Sequence, residues 1–221
     1  MSKADRRLIE RIQESSEIIW VFCGDSITHG ALHTHGWRSY PEHFAERVRW
    51  ELQRMRDVVI NTGISGDTVR GLLEDASHRV LRFEPDVVSI MIGMNDAAGG
   101  PAGRSAFQSA YRTFLDRLRK ESRCLLWLHT PNPVTAAETR RTDLPAYVEI
   151  VRALAAEYDA VLLDHDRLWR QVGVPLERLL DDGELHPNHL GHTLMARHCF
   201  QALGIFDAGS STCQLFSDVL G

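Results

Sequence analysis

Positive charge is in short supply: 25 Lys and Arg stand against 30 Asp and Glu, a formal net charge of −5 over 221 residues. A phosphate-backbone partner asks for a basic face, so nucleic acid is not an expected partner. Long apolar runs are missing as well, and no stretch approaches the ~20 apolar residues that span a bilayer. The opening Met1-Ser2-Lys3-Ala4-Asp5-Arg6-Arg7 leads into a charged amphipathic segment, without the apolar core and small-residue cleavage site of a secretory signal. A soluble, cytoplasmic protein with no membrane span is expected. Cysteine is sparse: Cys23, Cys124, Cys199 and Cys213 are widely spaced and two lie in apolar strand-like runs, so buried free thiols are expected rather than disulfides or a metal site. No Gly-x-Gly-x-x-Gly or Walker pattern is present, which counts against a dinucleotide or phosphate binder. No cofactor is expected. With no repeat, low-complexity tract or linker, residues 1–221 read as one domain.

What is present is an alternation of apolar runs and helical spacing. Ile18-Ile19-Trp20-Val21-Phe22-Cys23, stopped by Gly24, reads as a buried parallel strand. Similar runs recur at 58–61, 86–92, 124–129 and 160–164. Helical spacing is predicted over 3–14, 37–55, from Thr68 or Asp67 as cap through Leu72, Leu73 and Val80, and then over 107–120, 144–157, 168–172 and 189–203. In the second of these, Trp37 and Tyr40 default to core packing. Residues 97–103 read as a Gly/Ala-rich loop, 134–143 as an exposed excursion, and the residues after 203 as an irregular tail. Five strands separated by helices imply an α/β fold with a parallel sheet covered on both faces. Loops after successive parallel strands then gather at one edge, where open α/β sheets place their chemistry.

Ser26, the Gly66 loop, Asn95 and the loop after the fourth strand are expected to gather there, and the loop bearing His186 can fold back across the same rim. Ser26 follows the first strand and is either a plain turn residue or a nucleophile. Gly66 lies in the loop after the second strand and can bring a backbone N–H close to a developing oxyanion. Asn95 follows the third strand and can cap a helix or supply a side-chain N–H. His186 sits in an Asp/Gly-rich loop before Pro187 and is either a loop histidine or a general base. Acyl transfer needs a nucleophile, a base and oxyanion donors together. His33-Thr34-His35 has alternating spacing but no accompanying Cys or carboxylate pattern, and reads as a substrate-lining or solvated loop rather than a metal site. Asp164-His165-Asp166 reads as loop and cap chemistry. Asp25 and Asp96 are expected to hold their turns.

In their order along the chain, Gly24-Asp25-Ser26-Ile27-Thr28, Asn61-Thr62-Gly63-Ile64-Ser65-Gly66-Asp67-Thr68, Gly93-Met94-Asn95-Asp96 and His186-Pro187-Asn188 resemble the four blocks of the SGNH hydrolases, the GDSL esterase/lipase family. The blocks run from Gly24 to about Gly191, and Ile27 replaces the eponymous leucine. The resemblance implies a flavodoxin-like three-layer α/β/α sandwich and a serine ester hydrolase. It makes Ser26 the nucleophile, His186 the base, and Ser26, Gly66 and Asn95 the oxyanion hole. It departs at the triad acid, whose usual place three residues before the histidine is Gly183 here. Asp182, with a local bulge, is the expected acid, and Asp181, Glu184 or a Ser–His dyad are the alternatives. With no long apolar lid segment, a small-molecule ester with a short, acetyl-type acyl group is expected. A thioesterase, a lysophospholipase or a non-catalytic binding module on the same fold are the alternatives. Oligomeric state is not readable.

Overall fold

A computed structural model describes residues 2–135, 138–181 and 184–215. Each apolar run forms a strand, β2 over its whole length, β1 shifted by one residue to take in Gly24, and the other three trimmed by one or two residues: β1 (Ile19–Gly24), β2 (Val58–Asn61), β3 (Val87–Met91), β4 (Leu125–His129) and β5 (Val161–Leu163). All neighbours pair in parallel, in the order β2-β1-β3-β4-β5. That is the flavodoxin-like order, in which the chain changes direction across the sheet between β1 and β3 and leaves a crevice at their carboxyl ends. Gly24 is in register with Met91, and Met91 with His129, so the loops that follow leave from one edge.

The helices are α1 (Lys3–Gln13), α2 (Ser26–His29), α3 (Tyr40–Ala45), α4 (Val69–Glu74), α5 (Ala76–Arg79), α6 (Gly100–Glu121), α7 (Leu144–Glu157), α8 (His165–Gln171), α9 (His189–Ala202) and α10 (Ser211–Gln214). In one layer α6 packs against α4 and α7; in the other α3 packs against α9. Alternation along β1 sends Trp20 and Phe22 to the α3 side. There their rings lie 4.9 and 5.1 Å from that of Phe44. The four cysteines are free and buried, as expected.

Several boundaries differ from expectation. The helix predicted over 37–55 begins at Tyr40, because Ser39 and Glu42 form a reciprocal capping box and Pro41 fits the first turn. Trp37 is thereby left outside it, 65% exposed rather than in the core, while Tyr40 is buried. Past Ala45 the helix widens into a π turn over Glu46–Glu51, with Leu52 N–H donating to the Arg47 carbonyl at 3.0 Å. The glycine-rich stretch enters α6 at Gly100, with Pro101 in the first turn. Val134 and Thr135 are buried instead of exposed, and Thr135 N–H donates to the Glu184 carbonyl at 3.0 Å. The tail is not wholly irregular, since α10 is held by Glu51 through Ser210 Oγ (2.5 Å) and Thr212 N–H (2.9 Å).

A line of neutral histidines runs through the interior. Ser89 Oγ lies 3.0 Å from His129 Nε2, His129 Nδ1 3.1 Å from His165 Nε2, and His165 Nδ1 3.2 Å from His198 Nδ1. Burial pushes His129 and His192 down to about 3, His43 and His198 to about 4, and His165 well below its ordinary value. Below about pH 6.5 the unfolded chain takes up protons that these folded imidazoles refuse, so stability falls on acidification. Two buried carboxyls oppose this. Asp25 is raised to about 7 and Asp96 to about 6, so the folded state holds their protons where the unfolded chain, near 3.8, has released them. Five imidazoles outweigh two carboxyls. Between pH 7.5 and 5.5 the stability from urea unfolding should drop by roughly 2–4 kcal/mol; an unchanged or rising midpoint would contradict the buried neutral cluster.

Candidate active site

The first loop is shaped by crowding. A side chain at Gly24 would place its Cβ 2.2 Å from the Met91 carbonyl oxygen on the neighbouring strand, so only glycine lets β1 and β3 end side by side. Asp25 then caps α2, accepting from Ile27 N–H at 3.0 Å, and Ser26 becomes the first helical residue. Burial drives the rise of the Asp25 carboxyl, the Ile27 N–H pulls it back, and neighbouring Asp96 and Asp67 add to it. Asp96 accepts from Val69 N–H at 3.2 Å. Asp25 thus holds its own turn, as expected, whereas the Asp96 side chain ties its loop to the start of α4.

His186 arrives from the far end of the chain. Its loop is closed by Asp181 N–H donating to the His186 carbonyl at 2.8 Å and by an antiparallel bridge from Leu180 to Pro187. Asn188 caps α9 through Leu190 and Gly191 N–H, and its side-chain amide donates to the Arg178 and Leu180 carbonyls. The buried Asn132 side chain, in the loop after β4, donates to the Leu185 carbonyl at 3.1 Å. So held, His186 Nε2 lies 3.1 Å from Ser26 Oγ, within reach for proton transfer.

The two candidate oxyanion donors lie on adjoining loops. Gly66 has φ +83°, in the left-handed region, and an added Cβ would meet nothing within 4 Å. Backbone angle rather than lack of space is what asks for glycine at this position. Asn95 Nδ2 donates to the Asp67 carbonyl at 2.8 Å, which orients the amide and leaves its second N–H to serve another acceptor. Thr68 rather than Asp67 caps α4. The Asp67 carboxylate pairs with Arg79.

Arg79 is a residue sequence reasoning passed over. Only 3% exposed, it donates to the Gly24 carbonyl at 3.0 Å, to the Thr62 carbonyl at 2.8 and 3.0 Å, and to the Asp67 carboxylate. One guanidinium thus joins the end of β1, the end of β2 and the Gly66 loop. The signal was available: Leu72, Ala76 and Arg79 share one face at i, i+4 and i+7, and an arginine on an apolar stripe needs internal acceptors.

His33 and His35 both reach Asp181, His33 Nδ1 at 3.3 Å from Oδ2 and His35 Nε2 at 2.5 Å from Oδ1. Both carboxylate oxygens of Asp181 are therefore engaged. Glu184 is exposed. Asp182, the expected acid, and Gly183 lie outside the described residues. Asp164 caps α8 through Arg167 N–H and pairs with Arg152, in keeping with a cap role. Among the described residues no group of three or more His, Cys, Asp or Glu is placed to hold a metal ion, and no helix is long and apolar enough to cross a membrane.

The model of the GDSL-like lipase/acylhydrolase family matches residues 22–194. The chain belongs to this family. It is 30% identical over 207 residues to an acetylxylan esterase of Geobacillus stearothermophilus, covering 83% of this chain and 93% of that one. Among solved structures, an acetylxylan esterase from Geobacillus stearothermophilus superposes with a TM-score of 0.71 at 23% identity, covering 89% of this chain and 98% of the other. An alpha/beta hydrolase enzyme from the metagenome of Lake Arreo, Spain, gives a TM-score of 0.73 at 21% identity, covering 89% and 99%. The three-layer α/β/α fold and the GDSL-type carboxylic ester hydrolase class expected from the sequence both stand.

Proposed function

We propose that this GDSL-type hydrolase is a serine esterase that removes short, acetyl-type acyl groups from a carbohydrate alcohol. The observation that carries the catalytic part is the 3.1 Å contact between Ser26 Oγ and His186 Nε2. His186 takes the hydroxyl proton as Oγ attacks the ester carbonyl carbon. The oxyanion is received by the Ser26 and Gly66 N–H groups and by the Asn95 amide. The tetrahedral intermediate collapses, breaking the bond to the alcohol oxygen, which leaves with the proton from His186. Water, deprotonated by the same imidazole, then releases the acid and restores Ser26. Asp182 is the proposed acid behind His186.

The short-acyl preference is supported by polar surroundings: His29 Nδ1 lies 3.0 Å from Ser65 Oγ on one side, and His33, His35 and Asp181 gather on the other. The carbohydrate alcohol is supported by Trp37, exposed and stacked on His189 with ring centroids 5.3 Å apart, a flat apolar face suited to a sugar ring. It is supported too by the 30% identity to the acetylxylan esterase. A panel of acetylated xylo-oligosaccharide and p-nitrophenyl acetate, butyrate and decanoate tests it. kcat/KM should be highest on the sugar acetate and fall along the p-nitrophenyl series. A decanoate value above that of acetate would rule out the short-acyl preference.

Asn95 is the separable donor, because its contribution lies in a side chain. Asn95→Ala should lower kcat on p-nitrophenyl acetate by about 10²–10³ with KM little changed, the pattern of a contact made chiefly in the transition state. A loss confined to KM would make Asn95 a ground-state binding residue instead.

A further inference from the structure

Two imidazoles distant in sequence are stacked at the rim. The rings of His33 and His186 are face to face, with centroids 3.6 Å apart and planes 4° from parallel. His33 is fixed from two directions. Its loop is tied to the nucleophile turn, since Thr34 Oγ1 donates to the Gly30 carbonyl at 2.9 Å and Gly30 N–H donates to that of Ser26 at 2.9 Å. Its ring is bound through Nδ1 to the Asp181 carboxylate at 3.3 Å, which His35 Nε2 steadies from the other oxygen. Asp181 in turn donates its N–H to the His186 carbonyl at 2.8 Å. The contacts close a circuit from the His186 ring to the His33 ring, the Asp181 side chain, the Asp181 N–H and back to the His186 backbone.

We infer that His33, held by Asp181, is a positioning residue for His186: its ring is the flat wall that keeps the second imidazole parallel to it and keeps Nε2 on Ser26 Oγ. The inference rests on the serine-esterase reading. Proton transfer to Nε2 depends on alignment as well as distance, and an imidazole without a wall turns about its Cβ–Cγ bond. Once His186 carries the serine proton it becomes a cation over the π face of His33, with the Asp181 carboxylate next to that ring, and both neighbours favour the charge.

The roles of ring and nitrogen separate with three variants. His33→Ala removes the wall, His33→Leu fills the space without a flat face, and His33→Phe keeps a flat face but cannot bond to Asp181. The readouts are the rate of Ser26 labelling by a fluorophosphonate, kcat and KM on p-nitrophenyl acetate, and the melting temperature. Both His33→Ala and His33→Leu should lose about tenfold or more in kcat and labelling rate with KM within about twofold of wild type, and His33→Phe should recover to within about threefold. Wild-type labelling in both His33→Ala and His33→Leu would overturn the positioning role and leave the esterase reading intact. Equal slowing in His33→Phe would overturn it too, by placing the effect on the nitrogen. A wild-type enzyme that takes no label would overturn the esterase reading and this inference with it.

Discussion

Ser26→Ala should abolish fluorophosphonate labelling and lower kcat on acetate esters by about 10⁶-fold while the melting temperature holds. The size follows from what is removed. Without Oγ no acyl-enzyme forms, and His186 Nε2 loses the hydroxyl 3.1 Å away from which it would take a proton. Some acceleration over water, about 10³–10⁴, should survive, because the Gly66 N–H and the Asn95 amide still receive an oxyanion if water attacks directly. The fold should tolerate the change, since among the described contacts Ser26 Oγ touches His186 while the turn itself is held by Asp25 on Ile27 N–H and by Gly30 N–H on the Ser26 carbonyl. A Ser26→Ala enzyme with near-wild-type turnover would remove Ser26 from the reaction altogether.

Asp182→Ala should cost about 10⁴-fold in kcat, whereas Glu184→Ala should stay within about fivefold. With Nε2 turned to Ser26, the orienting acid must work on the other ring nitrogen, fix the tautomer and offset the imidazolium charge. Asp181 is already committed on both oxygens to His33 and His35. Glu184 is exposed, where solvent weakens a carboxylate as a partner for the imidazolium. Asp182, two residues past the bridge residue Leu180 in sequence, is therefore the acid we propose. Turnover that survives Asp182→Ala but not Glu184→Ala would exchange their roles, and survival of both variants would favour a Ser–His dyad.

The parts of the fold that could be read from the chain were those decided locally. β1 and β3 are buried along almost their whole length and therefore appear as unbroken apolar runs. The helix Leu144–Glu157 shows its apolar stripe without interruption. The start of α3 was also written locally, as Ser39-x-x-Glu42 with Pro41 between, but the 3.6-residue spacing from Trp37 onward masks it. Gly100 and Gly103 made the start of α6 look like a loop, since glycine costs a helix about 1 kcal/mol relative to alanine. Tertiary packing against α4 and α7 overrides that cost. At the site, Ser26, Gly66 and Asn95 could be proposed because parallel topology gathers strand-end loops, and His186 because its Asp/Gly-rich loop precedes a helix and completes the order of the four blocks. The stacking of His33 on His186 and the reach of Arg79 to three loops depend on rotamers and on contacts between distant segments, which spacing does not encode.

Arg79 also divides the rim into two kinds of segment. The loops it grips, those ending β1 and β2 and carrying Gly66, share one buried cation. Among the described hydrogen bonds it makes none to the segment bearing Leu32 and Trp37 or to the one entered through Pro131 and Pro133. A search for variants with new acceptor preferences is best begun at the exposed Leu32 and Trp37, leaving His33, Asp181 and Asp182, on which His186 is proposed to depend, unchanged.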